Sequence, residues 1–175
     1  MKNLIYILLA LSPFYMQAQR SSVGVSGGYT SNGFGAMVEY NHFWKEKNSI
    51  NSSVYYSLAS IDQGTETLDY NNITLNVGYY RRLINFEDGR FTNEIGGGGV
   101  IGYEILNDGK EELDTGAVIE GESQVIYGAY IGTNFNYFIS DFFTVSLVAN
   151  QFYHVNSDLG NYATYVGLGI KYYVF

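Results

Sequence analysis

Cysteine is missing from all 175 residues. This excludes disulfides, thiolate metal centres and a lipid-bearing cysteine at a leader cleavage point. Proline is nearly missing: Pro13 is the only one, so no later segment is broken by a residue without an N–H. Cations are scarce, with 9 Lys plus Arg against 17 Asp plus Glu and a net charge of -8. A chain this acidic does not hold nucleic acid or anionic headgroups by charge. Long apolar runs are also lacking, and the one from Leu4 to Leu11 is too short for a transmembrane helix.

That short run follows Lys2 and is broken by Ser12-Pro13, with the small residue Ala18 a few positions on. The pattern predicts a signal peptide over residues 1–18, cut before Gln19, although Met16 is not an ideal residue two positions before Ala18. The remainder, residues 19–175, is long enough for one domain.

What the chain does have is 21 Gly, 18 Tyr and 11 Phe. Glycine, aromatic and β-branched residues recur at period two, the signature of strands with two unlike faces. Eight such series follow one another. The first holds Val23, Val25 and Tyr29, and the second Phe34, Val38 and Tyr40. The third holds Ile50, Val54 and Leu58, and the fourth Ile73, Leu75 and Val77. Ile95, Ile101 and Tyr103 mark the fifth, and Val125, Tyr127 and Phe135 the sixth. The last two carry Phe143, Val145 and Leu147, then Val166, Leu168 and Ile170. Between these residues stand mostly Gly, Ser, Asn and Thr, with few of the Lys and Glu that keep a soluble sandwich in solution.

An apolar face paired with a small polar face fits an all-β, eight-stranded antiparallel up-and-down transmembrane β-barrel of outer-membrane type. Runs such as 71–83 and 124–137 exceed the ~9–11 residues of a tilted crossing. Connections alternate in length as such a barrel leads one to expect, except that the first outer loop, Ser31-Asn32-Gly33, is tight. Residues 44–48, 85–90 and 138–142 read as short periplasmic turns, whereas 62–70, 106–123 and 154–160 read as longer outer loops. Tyr40, Tyr79, Tyr80, Tyr137, Tyr172 and Tyr173 are expected to form interfacial girdles. Of Arg81 and Arg82, one is expected to enter the lumen toward Glu94 or Glu104, the other to stay at the interface.

The stretch IGGGGVIGYEILNDG, residues 95–109, contains a G-x-G-x-x-G at Gly97, Gly99 and Gly102. A dinucleotide site would need a helix to open there, but Asn107-Asp108-Gly109 signals a turn instead. The glycines are expected to let a strand coil and to make room for tyrosines or arginines across a narrow lumen.

Candidate chemistry is sparse. His154, Ser157 and Asp158 sit too close in sequence for a convergent triad, and no nucleophile elbow is present. The loop over 106–123 carries Asp108, Glu111, Glu112, Asp114, Glu120 and Glu122 without calcium-loop spacing. It reads as a solvated acidic loop, with weak divalent binding the sharper alternative. No catalytic, cofactor-binding or metal-binding residue and no small-molecule substrate is assigned. The expected surroundings are outer-membrane lipid and lipopolysaccharide.

The chain ends in IKYYVF, residues 170–175, similar to the C-terminal insertion signal of outer-membrane barrels, except that Lys171 stands where an apolar residue is usual. Together with VGYYRRL (77–83), GGGGVIGYEILNDG (96–109), LDTGAVI (113–119), IYGAY (126–130), YFISDFF (137–143) and YVGLGIKYYVF (165–175), it resembles the TraO family. These are conjugal transfer proteins of Bacteroidetes conjugative transposons, and the resemblance covers roughly residues 72–175. It implies a non-enzymatic outer-membrane part of a type IV secretion-like mating apparatus, with other apparatus proteins as partners. A general small barrel serving adhesion or envelope integrity is the alternative.

Overall fold

Alternation becomes geometry in the computed structural model, which describes residues 21–31, 33–44, 47–63, 66–86, 90–106 and 123–174. Eight strands follow in order: β1 (Ser21–Thr30), β2 (Gly33–Trp44), β3 (Asn48–Gln63), β4 (Glu66–Phe86), β5 (Phe91–Leu106), β6 (Gln124–Phe138), β7 (Phe143–Val155) and β8 (Tyr162–Val174). Each pairs antiparallel with the next, and β8 returns to β1 through Ser21↔Val174 to Thr30↔Tyr165, closing the barrel. The expected signal peptide and the six acidic loop residues lie outside the described residues.

Burial follows parity. Val23, Val38, Val54, Leu75, Ile101, Leu147 and Leu168 face outward and are exposed, whereas their strand neighbours are small, polar or buried. In water, an apolar wall of this extent would drive association; in hydrocarbon it is the solvated surface. Tyr40, Tyr79, Tyr137 and Tyr172 stand on this wall, as expected of a girdle. Tyr80 and Tyr173 do not: they are buried at 3% and 6% exposure. Successive residues of a strand point to opposite faces, so Tyr79 and Tyr80, or Tyr172 and Tyr173, cannot both meet lipid.

A second correction concerns residues 62–70. The β3–β4 ladder continues through them to Gln63↔Glu66, making a long hairpin in place of the expected loop. Polar composition suggests a loop, but backbone pairing continues above the bilayer without needing apolar side chains. The connections at the other end are short, as read from the sequence: residues 45–47, 87–90 and 139–142.

The glycine run lies wholly within β5, with no helix after it among the described residues. Gly96 faces inward, and a Cβ there would stand 2.5 Å from Tyr80 Cγ. At Gly35, a Cβ would come 2.7 Å from Tyr55 Cε2. At Gly98 it would meet the Val77 carbonyl on β4, so the two backbones approach more closely than any side chain permits. Gly99 faces outward with space around it, its added Cβ no nearer than 4.0 Å to Gly128 O. Two substitutions therefore separate inside from outside. Gly96→Val should lower the unfolding free energy by about 1–3 kcal/mol through overpacking against Tyr80. Gly99→Val should stay within ~0.5 kcal/mol of the parent. Urea titration of the refolded protein in detergent measures both.

Candidate functional site

Side chains fill the interior of the barrel. Tyr55 on β3 stacks on Phe152 of β7 at 5.2 Å between ring centres, although the two strands lie on opposite sides of the barrel. Tyr165 meets Tyr55 edge-on at 5.1 Å, and Tyr130 tilts against Phe152 at 5.7 Å. Met37, Tyr80, Val100 and Val148 complete the cluster. A bridge of rings from wall to opposite wall leaves no open bore at that level. Two shallow concavities of about 260 and 420 Å³ open on the outer wall instead, one beside Ile131 and Ala149, the other beside Tyr137 and Leu147.

Toward the end where β1 begins and β8 ends, the lumen becomes polar and charged. Lys171 Nζ lies 2.8 Å from Glu39 Oε1, with the side chains 2% and 6% exposed. Gly24 is the ladder partner of both residues, on opposite edges of β1, so the ion pair passes over a position without a side chain. Asn51 Nδ2 donates to the other Glu39 oxygen at 2.9 Å and to Asn41 Oδ1 at 2.8 Å. Arg82 pairs with Glu94 at 3.2 Å beside a bulge that leaves Leu83 out of the ladder. Arg82 is thus the arginine that enters the lumen and Glu94 its acid, while Arg81 is exposed. Lys171, the departure from the terminal insertion pattern, has an inward role that its parity indicates.

At the opposite end, Tyr70, Leu106 and Ala59 form a second apolar cluster with Leu159 packed on it. Near it lies Glu104, 1% exposed, whose oxygens accept hydrogen bonds from Ser157 Oγ at 2.7 Å and Asp158 N at 2.8 Å. Ser157 therefore donates to a carboxylate on β5. His154 is buried and stacks on Phe152 at 5.6 Å. Its Nε2 has no partner among the described residues, so no Ser–His hydrogen bond forms through that nitrogen. Sequence reasoning offers Glu104 only as a partner for an arginine. Its inward parity is readable in the sequence, but its contact with the β7–β8 turn is not. No group of three His, Asp or Glu side chains able to hold a metal occurs among the described residues.

The buried Lys171–Glu39 pair gives a stability prediction. Lys171→Met should cost about 3–5 kcal/mol, because it leaves Glu39 charged and unpaired, and adding Glu39→Gln should recover most of that loss. A double-mutant cycle in urea tests this, and additive losses would contradict it.

Comparison with known proteins agrees with this geometry. A major outer membrane protein of Thermus thermophilus superposes with a TM-score of 0.65 at 12% identity, covering 90% of this chain and 100% of that one. Neisserial surface protein A gives 0.63 at 8% identity, covering 89% and 97%. The attachment invasion locus protein Ail of Yersinia pestis, solved with the heparin analogue sucrose octasulfate, gives 0.60 at 12% identity, covering 90% and 100%. At such identities the likeness is one of fold: an eight-stranded barrel of outer-membrane type. Among curated proteins, none matches significantly. The family model for "Conjugative transposon protein TraO" matches residues 15–174, nearly the whole chain, and the protein therefore belongs to the TraO family of conjugative transposon proteins.

Proposed function

We propose that this protein is a non-enzymatic outer-membrane component of the conjugative mating apparatus, acting in contact, anchoring or assembly rather than as a conduit. The observation that carries this reading is the ring bridge across the lumen, Tyr55 on Phe152. A DNA strand or a folded protein needs a bore, and eight strands filled with side chains offer none. What remains available to partners is the exterior: the loop end, the short turns and the wall. The apolar wall supports residence in lipid, and the predicted signal peptide over residues 1–18 supports export to the outer membrane. With that orientation, both termini and the short turns face the periplasm, where apparatus proteins are within reach. The longer loops then face lipopolysaccharide and the recipient cell.

The acidic balance bears on the attachment reading. Ail was solved with a sulfated ligand, and such ligands require cations, whereas this chain carries a net charge of -8. The Ser157 hydroxyl donates to Glu104 and not to His154 Nε2, so these residues do not assemble as a serine–histidine pair through that nitrogen.

Deleting the gene in a donor strain tests the proposal. Transfer frequency should fall and return with the wild-type gene in trans, and the protein should fractionate with outer membranes. Unchanged transfer together with an altered envelope would favour the general adhesion or integrity role instead.

A further inference from the structure

Among the described residues, three carboxylates are buried in the lumen, and they are not treated alike. Glu39 has Lys171 and Glu94 has Arg82. Glu104 has no cation among the described residues; its hydrogen bonds come from a hydroxyl and a backbone N–H, both neutral. A buried carboxylate without a counter-charge is costly, and two neutral donors do not remove that cost.

Unpartnered polar atoms occur along the lumen, as at Arg82 Nε, Asn134 Oδ1 and Tyr173 OH, but Asn72, Gln124 and His154 add theirs beside a carboxylate that lacks a cation among the described residues. Asn72 on β4 is the ladder partner of Glu104, with both side chains on the lumen face. Direct partners place their Cβ atoms ~5 Å apart. Asn72 is 2% exposed and its Oδ1 has no hydrogen-bond partner among the described residues. On the other side of Glu104, Gln124 of β6 is the ladder partner, and its Nε2 is also unpaired. His154 on β7, 2% exposed, stands three positions before Ser157, whose hydroxyl reaches Glu104, and has a buried Nε2 without a partner among the described residues. Natural interiors leave few such atoms, so several around one uncompensated charge call for a common explanation. The apolar Tyr70–Leu106 cluster, also at the loop end, limits hydration there.

A carboxylate oxygen, an amide oxygen and an imidazole nitrogen form the donor set of a borderline divalent cation. Calcium and magnesium, which take six or more oxygens, would leave the imidazole unused. Water alone would satisfy the dipoles but would not neutralise Glu104. We propose that the loop end of the lumen is a binding site for a divalent cation of the zinc class, held by Glu104, His154 and Asn72 with water completing the shell. With fewer than three His or carboxylate ligands, the site binds more weakly than a closed structural zinc centre. It stands on the geometry of β4, β5 and β7 whichever role the barrel has in transfer.

Zinc chloride titrated into the purified, untagged full chain in zwitterionic detergent, with excess magnesium chloride to occupy the acidic loop, tests it by calorimetry. One saturable event per chain is expected. Removing a ligand should weaken it by at least the roughly tenfold that follows from loss of an outer-shell partner, so Glu104→Gln and His154→Gln should each do so. His42→Gln should leave it unchanged, as should a variant with Asp108, Glu111, Glu112, Asp114, Glu120 and Glu122 converted to their amides. No saturable event, or one lost only in the loop variant, would overturn the assignment. Should either substituted chain fail to refold, nitrogen resonances of the wild-type histidines decide: zinc should move the His154 signal, and an unmoved signal would overturn the site.

Discussion

Every other feature of this molecule depends on one constraint: in hydrocarbon, a backbone N–H or C=O without a partner has no water to turn to. A sheet meets that constraint only by having no edge. Closure of β8 onto β1, register by register from Ser21↔Val174 to Thr30↔Tyr165, removes the last unpaired row. Once the ring is closed, parity decides everything else. Each odd–even choice along a strand sends a side chain either into lipid or into a lumen only eight strands around. Val54 and Tyr55 are neighbours in sequence, yet one is solvated by acyl chains and the other stacks on Phe152 of the opposite wall.

The small circumference makes the lumen a packing problem before it is anything else. Large rings enter from β3, β4, β6, β7 and β8, and glycines such as Gly35 and Gly96 lie where those rings would otherwise strike a wall. Two of the buried carboxylates have a cation within reach: Lys171 above Gly24 for Glu39, and Arg82 across the ladder for Glu94. The interior is thus ordered along its length, with ion pairs toward the termini, aromatic rings between, and a polar pocket around Glu104 beneath an apolar cluster at the loop end. Membership of the TraO family gives this plugged cylinder a process, conjugative transfer. The plug in turn narrows what the cylinder can contribute to that process.

Much of this is readable from the chain itself. Alternation of the Ile73-Leu75-Val77 kind marks a strand wherever it occurs, and eight such series with few charges point to a barrel in lipid. Sequence reasoning fails where it follows composition in place of parity. Tyr80 and Tyr173 read as girdle residues because tyrosines at strand ends usually are, yet each follows a tyrosine that already faces outward. Residues 62–70 read as loop because they are polar, although a ladder is held by backbone. Lys171 stands out as a departure from the terminal pattern, and only the closed ring shows that β1 brings it to Glu39. The Glu104 pocket is the least accessible, since Ser157 is 53 positions away and reaches it through a turn whose path no local pattern specifies.

A barrel that lies in lipid with its lumen filled by side chains conducts no ions. Single-channel recording of the purified protein inserted in planar bilayers tests it most directly. Insertion, verified by protease protection in vesicles of the same lipid, should proceed without stepwise current. Large, stable conductance steps from the inserted protein would contradict the account, because the Tyr55–Phe152 bridge could not then span the lumen as described.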